Sequence, residues 1–146
     1  MQLNHYLNFD GQAEAAFEFY RSIFGGEFSD LRRYGDLPDF ADQLDEPSKQ
    51  QILHISLPIN PHTVLMASDV QAHLCGDSAP YVVGTHHYIS INLEAHERAE
   101  AERIFNALSQ NAEIEAELSH TFWGALFGSL KDQFGICWMV NCQLDA

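Results

Sequence analysis

Eight histidines and three cysteines are spread through this chain of 146 residues, and their spacing decides which chemistries are open to it. A metal held by a local motif needs two imidazoles on one face, as in His-x-His or His-Glu-x-x-His, and neither spacing occurs. There is no Gly-x-Ser-x-Gly for a nucleophilic serine and no Gly-x-Gly-x-x-Gly for a dinucleotide or methyl-donor site. Cys75, Cys137 and Cys142 form no Cys-x-x-Cys, and Cys137 and Cys142, five apart, point to opposite faces of one strand, so reduced thiols are expected. What remains is a lining: His54, Ser56, Met66, Ser68, Tyr88, Ser90, Asn92, Met139 and Asn141 fall on alternate positions of predicted strands, with Phe122 and Trp123 at a rim. Aromatic and thioether surface carrying a few hydroxyl and amide groups is the usual make-up of a small-molecule pocket. Tyr88 and Trp123 are expected to stack on the ligand, and His54, Ser90, Asn92 and Asn141 to hydrogen-bond it. His62, His73, His96 and His120 fall in predicted loops or on exposed helix, where a solvated ring is expected, and His86-His87 straddles both faces of its strand.

Those residues need strands to present them. Leu3 to Phe9 alternates Leu3, His5, Leu7 and Phe9 against Asn4, Tyr6 and Asn8. Asp10 is a plausible N-cap for the helix whose apolar stripe is Ala13, Ala16, Phe17, Tyr20 and Phe24, and Gly25-Gly26 ends that helix. Strands follow over 27–34, 51–57 and 63–68, with 35–50 read as a loop near the pocket mouth. The order then repeats: a strand over 86–93, a helix over 95–110 with Ala101, Ile104, Phe105 and Leu108 inward, a strand over 113–119 with Ile114, Ala116 and Leu118 inward, and a closing strand pair. That pair runs from Phe122 to Asn141 and turns at Asp132 to Gly135. After the turn, Ile136, Trp138, Val140 and Cys142 form an apolar face for a helix, and Cys137, Met139 and Asn141 form a smaller, more polar one. The prediction is one α+β domain of two βαβββ modules, about 1–70 and 85–146, joined by a connector over 71–84.

The composition narrows the partners. A net charge of −14 repels nucleic acid and anionic membranes, both of which are bound by neutralising phosphates with cations. No apolar run approaches the roughly 18 residues of a membrane span. The first residues lack the basic and apolar regions of a signal peptide, so a cytoplasmic protein is expected.

The words Tyr6-Leu7-Asn8-Phe9-Asp10-Gly11, Phe17-Glu18-Phe19-Tyr20, Ile23 to Phe28, Phe122-Trp123-Gly124 and Asp132 to Asn141 resemble the vicinal oxygen chelate superfamily. That superfamily includes glyoxalase I, extradiol dioxygenases and bleomycin- or fosfomycin-resistance proteins, and the resemblance is to its PhnB-like branch. It implies two modules whose sheets curl into a half-barrel around a central cavity, and a homodimer. Its metal-dependent members take one ligand each from the first, fourth, fifth and eighth strands. By register this sequence offers His5, Met66, Tyr88 and Met139 there, and two thioethers are poor ligands for the metals concerned. His5 shares its face with Leu3, Leu7 and Phe9, so either a bulge re-aims it or Asn4 or Tyr6 faces the cavity instead. No metal or other cofactor is therefore expected, and drug sequestration by the resistance-type relatives is the nearest functional parallel. The alternative is a divalent-metal lyase, isomerase or dioxygenase with an irregular site at His5, His54 and Tyr88, where the metal would polarise paired substrate oxygens.

Overall fold

The computed structural model describes residues 1–71 and 80–145, which form two compact units, Met1–Val82 and Val83–Ala146. Most of the expected connector, with His73 and Cys75, lies outside the described residues.

Unit 1 runs β1 (His5–Phe9), α1 (Ala13–Phe24), β2 (Asp30–Arg33), two short helices α2 (Pro38–Ala41) and α3 (Glu46–Gln50), β3 (Ile52–Asn60) and β4 (Thr63–Asp69). The strands form one sheet in the order β1-β4-β3-β2, with β1 parallel to β4 and the other pairs antiparallel. Helix α1 lies on β3 and β4 and buries Ala13, Ala16, Phe17, Tyr20 and Ile23. Ile23, rather than Phe24, completes the buried stripe, and the helix ends at Gly25, which takes φ 78° with its N–H bonded to the Arg21 carbonyl at 2.8 Å. The strand faces alternate as the sequence pattern requires: Leu7, Phe9, Ile55, Leu57, Leu65 and Ala67 are buried on the helix side.

Four expectations for this unit need correction. Strand β1 starts at His5, because the Asn4 side chain takes the Val64 N–H at 3.1 Å in place of a further ladder bond. The segment 35–50 is not a plain loop. Asp45 caps α3 by accepting the Ser48 N–H at 2.9 Å, and Pro47 in the first turn suits a helix start. Strict alternation from His54 and Ser56 would put Ile52 on the polar face, but a bulge in β3 opposite Arg32 and Arg33 re-aims the end of the strand and Ile52 enters the core at 1% exposure. Finally, Asp10 does not cap α1. The buried carboxylate of Asp69 reaches across from the end of β4, taking the Ala13 N–H at 2.9 Å through Oδ1 and the Ile52 N–H at 2.8 Å through Oδ2. Its negative charge also suits the positive end of the helix dipole.

Unit 2 repeats the plan with β5 (Ile89–Leu93), α4 (Arg98–Leu108), β6 (Glu113–His120), β7 (Ala125–Lys131) and β8 (Cys137–Gln143), in the sheet order β5-β8-β7-β6. Helix α4 packs on β7 and β8 through Ala101, Ile104, Phe105 and Leu108. Phe105 fits so closely over Gly128 that a Cβ there would lie 2.6 Å from its ring, which explains a glycine inside a strand. Trp138, Val140 and Cys142 are buried on the helix side of β8, as the alternation predicts. The expected turn forms, with Gly135 at φ 88° and the Asp132 N–H on the Ile136 carbonyl at 2.8 Å. Asp132 holds it from inside: Oδ1 accepts the N–H groups of Phe134 and Ile136 at 2.9 and 3.0 Å, and Oδ2 accepts Trp138 Nε1–H at 2.8 Å.

Here too the element edges differ from expectation. Strand β5 begins at Ile89, opposite Trp138 at the start of β8, so Tyr88 precedes the strand. Phe122 and Trp123 lie in the β6–β7 turn, which Thr121 closes by exchanging backbone and side-chain bonds with Ala125. Ile114 is in register with the buried Leu130 but is exposed on the edge strand, and bulges in β6 around Glu115 and Leu118 break the alternation that would have set Ala116 and Leu118 beside it.

Six of the seven cationic side chains, Arg21, Arg32, Arg33, Lys49, Arg98 and Arg103, sit in ion pairs with nearby carboxylates. Among the described residues, no helix is long and apolar enough to cross a membrane.

Candidate functional site: the helix-free faces of the two sheets

Each unit lays its helix on one face of its sheet and leaves the other face to polar and thioether side chains. In unit 1, Tyr6 pairs in register with Met66, Met66 with Ser56, Asn8 with Ser68, and His54 with Arg32. In unit 2, Ser90 pairs with Met139, Met139 with Ser129, Asn92 with Asn141, and Asn141 with Phe127. The two registers superimpose. Asn8 matches Asn92, Met66 matches Met139 and Ser56 matches Ser129, while Tyr6 and His54 give way to Ser90 and Phe127. Cross-strand partners point to the same face, so each set is one patch.

His54, Ser56, Met66 and Ser68 therefore share the helix-free face of unit 1, and Ser90, Asn92, Met139 and Asn141 share that of unit 2. His5 stands opposite Leu65 on the helix side with Leu7 and Phe9, and no bulge in β1 re-aims it; Tyr6 and Asn8 occupy the other face. Tyr6 is one of the two alternatives to His5 that the sequence offered, whereas Asn8, Phe127 and Ser129 were missing from the expected set. The alternation already exposed Tyr6 and Asn8 as the faces opposite Leu7 and Phe9, whereas Phe127 and Ser129 needed the true start of β7.

The face of unit 1 carries a hydrogen-bonded chain. His54 Nδ1 lies 3.1 Å from Tyr6 Oη, and Nε2 lies 2.8 Å from Ser56 Oγ. The Tyr6 and His54 rings also stack, with centroids 5.7 Å apart and planes 29° from parallel. In unit 2, Trp123 meets the Phe127 ring edge-on at 5.9 Å, and Phe122 meets Trp123 at 4.9 Å. Trp123 keeps 52% of its surface exposed, as a stacking platform requires.

Tyr88 has a partner that the sequence did not indicate. Its hydroxyl donates to Glu115 at 2.6 Å, joining the segment before β5 to the opposite edge strand β6. That carboxylate pushes the phenol up to about 12. The neutral phenol is the bonded form, so the contact is complete below the ordinary tyrosine value near 10 and is lost as pH rises toward 12. Titration of the assigned Tyr88 ring followed by NMR should accordingly show it ionising late, and Glu115→Gln should return it toward the common range. Cys137, on the same face as Met139, is buried, and burial pushes its thiol up, which makes it a poor nucleophile in the folded state.

The donor set does not fit a metal. The helix-free faces present Tyr6 and Met66 in one unit and Ser90 and Met139 in the other, and Asp30, the carboxylate in register with Ser56, is paired with Arg32 at 3.1 Å. Both ring nitrogens of His54 are already bonded. Among the described residues no three His, Cys, Asp or Glu side chains cluster as a metal site needs. His62, His86, His87, His96 and His120 are exposed.

A separate pocket of about 440 Å³ opens on the helix side of unit 1, between Gly11, Glu14, Arg33, Pro47, Gln50, Gln51, Ile52 and Asp69. Its charges are met internally. Arg33 grips both Glu14 oxygens at 2.9 and 2.7 Å and holds that carboxyl below its ordinary value, and Asp69 takes the two backbone bonds described above. None of the residues expected from the sequence lines it.

Residues 2–140 match the model of the Glyoxalase/Bleomycin resistance protein/Dioxygenase superfamily. The chain belongs to this superfamily. Among solved structures of the superfamily's fold, protein PA1353 from Pseudomonas aeruginosa is 37% identical and matches with a TM-score of 0.83 over 99% of both chains. A Bacillus cereus PhnB protein, described as a putative 3-demethylubiquinone-9 3-methyltransferase, is 21% identical with a TM-score of 0.69 over 97% of this chain and 99% of that one. Protein YjdN of Escherichia coli strain K12 is 28% identical over 143 residues, 97% of this chain and 95% of that protein. The α+β architecture of paired βαβββ modules is that of the superfamily, and the likeness to the PhnB protein holds at the level of fold.

Proposed function

We propose that this superfamily member binds a small organic molecule on the helix-free faces of its sheets, without a resident metal, and holds it rather than transforming it. The repeated lining carries the reading: Asn8/Asn92, Met66/Met139 and Ser56/Ser129 occupy matching registers on two faces that no helix of their own unit covers. On each face a methionine, Met66 in unit 1 or Met139 in unit 2, supplies adaptable apolar contact and the Asn and Ser groups of that face orient a ligand, and in unit 2 Trp123 offers a ring to stack on. A cytoplasmic homodimer acting by sequestration is the proposed form.

Two measurements test it. A fragment set of neutral aromatic and alicyclic molecules, followed by ligand-observed NMR, should give hits that weaken about tenfold on Met139→Lys, which buries a charge where the ligand's carbon skeleton would lie. No hit from the wild-type protein would overturn the reading. Elemental mass spectrometry of untagged protein purified without chelators should find negligible divalent metal. Near one ion per chain, lost on His54→Ala, would replace the proposal with a metal-dependent lyase, isomerase or dioxygenase.

A further inference from the structure

We infer that the helix-free face of unit 1 recognises the carbonyl oxygen of an uncharged ligand, because burial fixes the direction of the Ser56–His54–Tyr6 hydrogen-bond chain and leaves a donor at its open end. This rests on the small-molecule reading above and names the ligand chemistry of that face.

A neutral imidazole donates from one nitrogen and accepts at the other, so the chain has two possible directions. The two ends are not equivalent. Ser56 is 6% exposed and Tyr6 is 46% exposed. If Nε2 donated to Ser56, the serine proton would have to find an acceptor at the buried end, and among the described residues His54 is the bonded partner of Ser56 Oγ. A buried donor left unmet is penalised more than an exposed one, which water satisfies. The favoured direction therefore runs outward: Ser56 O–H donates to Nε2, Nδ1–H donates to Tyr6 Oη, and the Tyr6 O–H points away from the sheet. Each bond in such a chain polarises the next, so the terminal phenol is a stronger donor than an isolated tyrosine.

The surroundings narrow the ligand further. Asn8 lies two residues along the same strand and face, about 7 Å away. Its Oδ1 lies 3.5 Å from Ser68 Oγ, and its amide N–H groups supply a second donor on the same face. Met66, in register with Tyr6, adds apolar contact beside the phenol. The nearby cation, Arg32, is engaged by Asp30 at 3.1 Å, and the chain carries a net charge of −14, so an anionic oxygen is disfavoured relative to a neutral one. Two donors and a thioether, beside a cation already paired with a carboxylate, describe a site for a ketone or amide oxygen on an apolar skeleton.

Two experiments decide it. Nitrogen-15 NMR of histidine-labelled protein, with His54 assigned through His54→Gln, should show Nδ1 protonated and Nε2 as the bare nitrogen; the opposite tautomer overturns the chain's direction whatever the ligand. Binding of three probes sharing one ring, cyclohexanone, cyclohexanecarboxylate and cyclohexylamine, should favour cyclohexanone, and Tyr6→Phe should weaken it about fivefold to tenfold, the scale of one lost hydrogen bond. Equal or tighter binding of the carboxylate or the amine, or an unchanged affinity in Tyr6→Phe, overturns the carbonyl assignment while leaving small-molecule binding standing. Silence from all three and from the wider fragment set overturns both.

Discussion

Asp69→Ala should lower stability by about 4 kcal/mol, since it takes the acceptor away from the N–H groups of two buried residues at once. Ala13 is fully buried and Ile52 is 1% exposed, so neither N–H can turn to solvent when the carboxylate goes. The loss also removes a negative charge from the start of α1, and it frees the end of β4 from the start of β3. A typical domain is stable by only about 5–15 kcal/mol, so a large part of the total is at stake. The urea midpoint should fall with little change in slope, which separates a loss of stability from a change in the unfolded state. Asp69→Asn is the informative control. The amide keeps one acceptor but sets an N–H against the second backbone donor, so about half the loss is expected. An Asp69→Ala midpoint within error of wild type would show that these bonds are replaced when the carboxylate is removed.

Asp132→Ala should be comparably damaging, at about 3–4 kcal/mol, but with a different signature. Three donors converge on this carboxylate. Phe134 and Ile136 are half-buried and their N–H groups can recover water, whereas Trp138 is 2% exposed and its indole N–H cannot. The near-ultraviolet circular dichroism of the buried Trp138 should therefore weaken in the folded variant, while the exposed Trp123 reports no comparable change. A variant with an intact near-ultraviolet spectrum and an unmoved midpoint would contradict this role for Asp132.

The contrast between these two carboxylates shows how far the sequence could be read. Asp132 sits inside the turn it organises, with partners two, four and six residues on, so an Asp-x-x-Gly between two strand patterns already located it. Asp69 bonds residues 56 and 17 positions away, and no local pattern distinguishes it from any polar residue at a strand end. The same division holds elsewhere. Helix α1 and the buried stripe of α4 follow from 3.6-residue spacing, and the shared face of His54, Ser56 and Met66 follows from alternation. The bulge that sends Ile52 inward and the late start of β5 that leaves Tyr88 outside the sheet depend on where a partner strand begins or slips. For the candidate site, alternation identified which residues share a face but not their contacts. Tyr6 and His54 are 48 residues apart, and their bond exists only because β1 and β3 flank β4.

The engagement of six cations in local ion pairs also bears on how fast molecules arrive. With most of the positive charge neutralised at short range, the field extending into solvent is that of the remaining carboxylates. Within a Debye length of about 8 Å at physiological ionic strength, an approaching anion is slowed, a cation is drawn in and a neutral molecule is indifferent. Added salt should quicken the first encounter, slow the second and leave the third unchanged, so the ionic-strength dependence of an association rate reports the charge of whatever this protein captures before its structure is known.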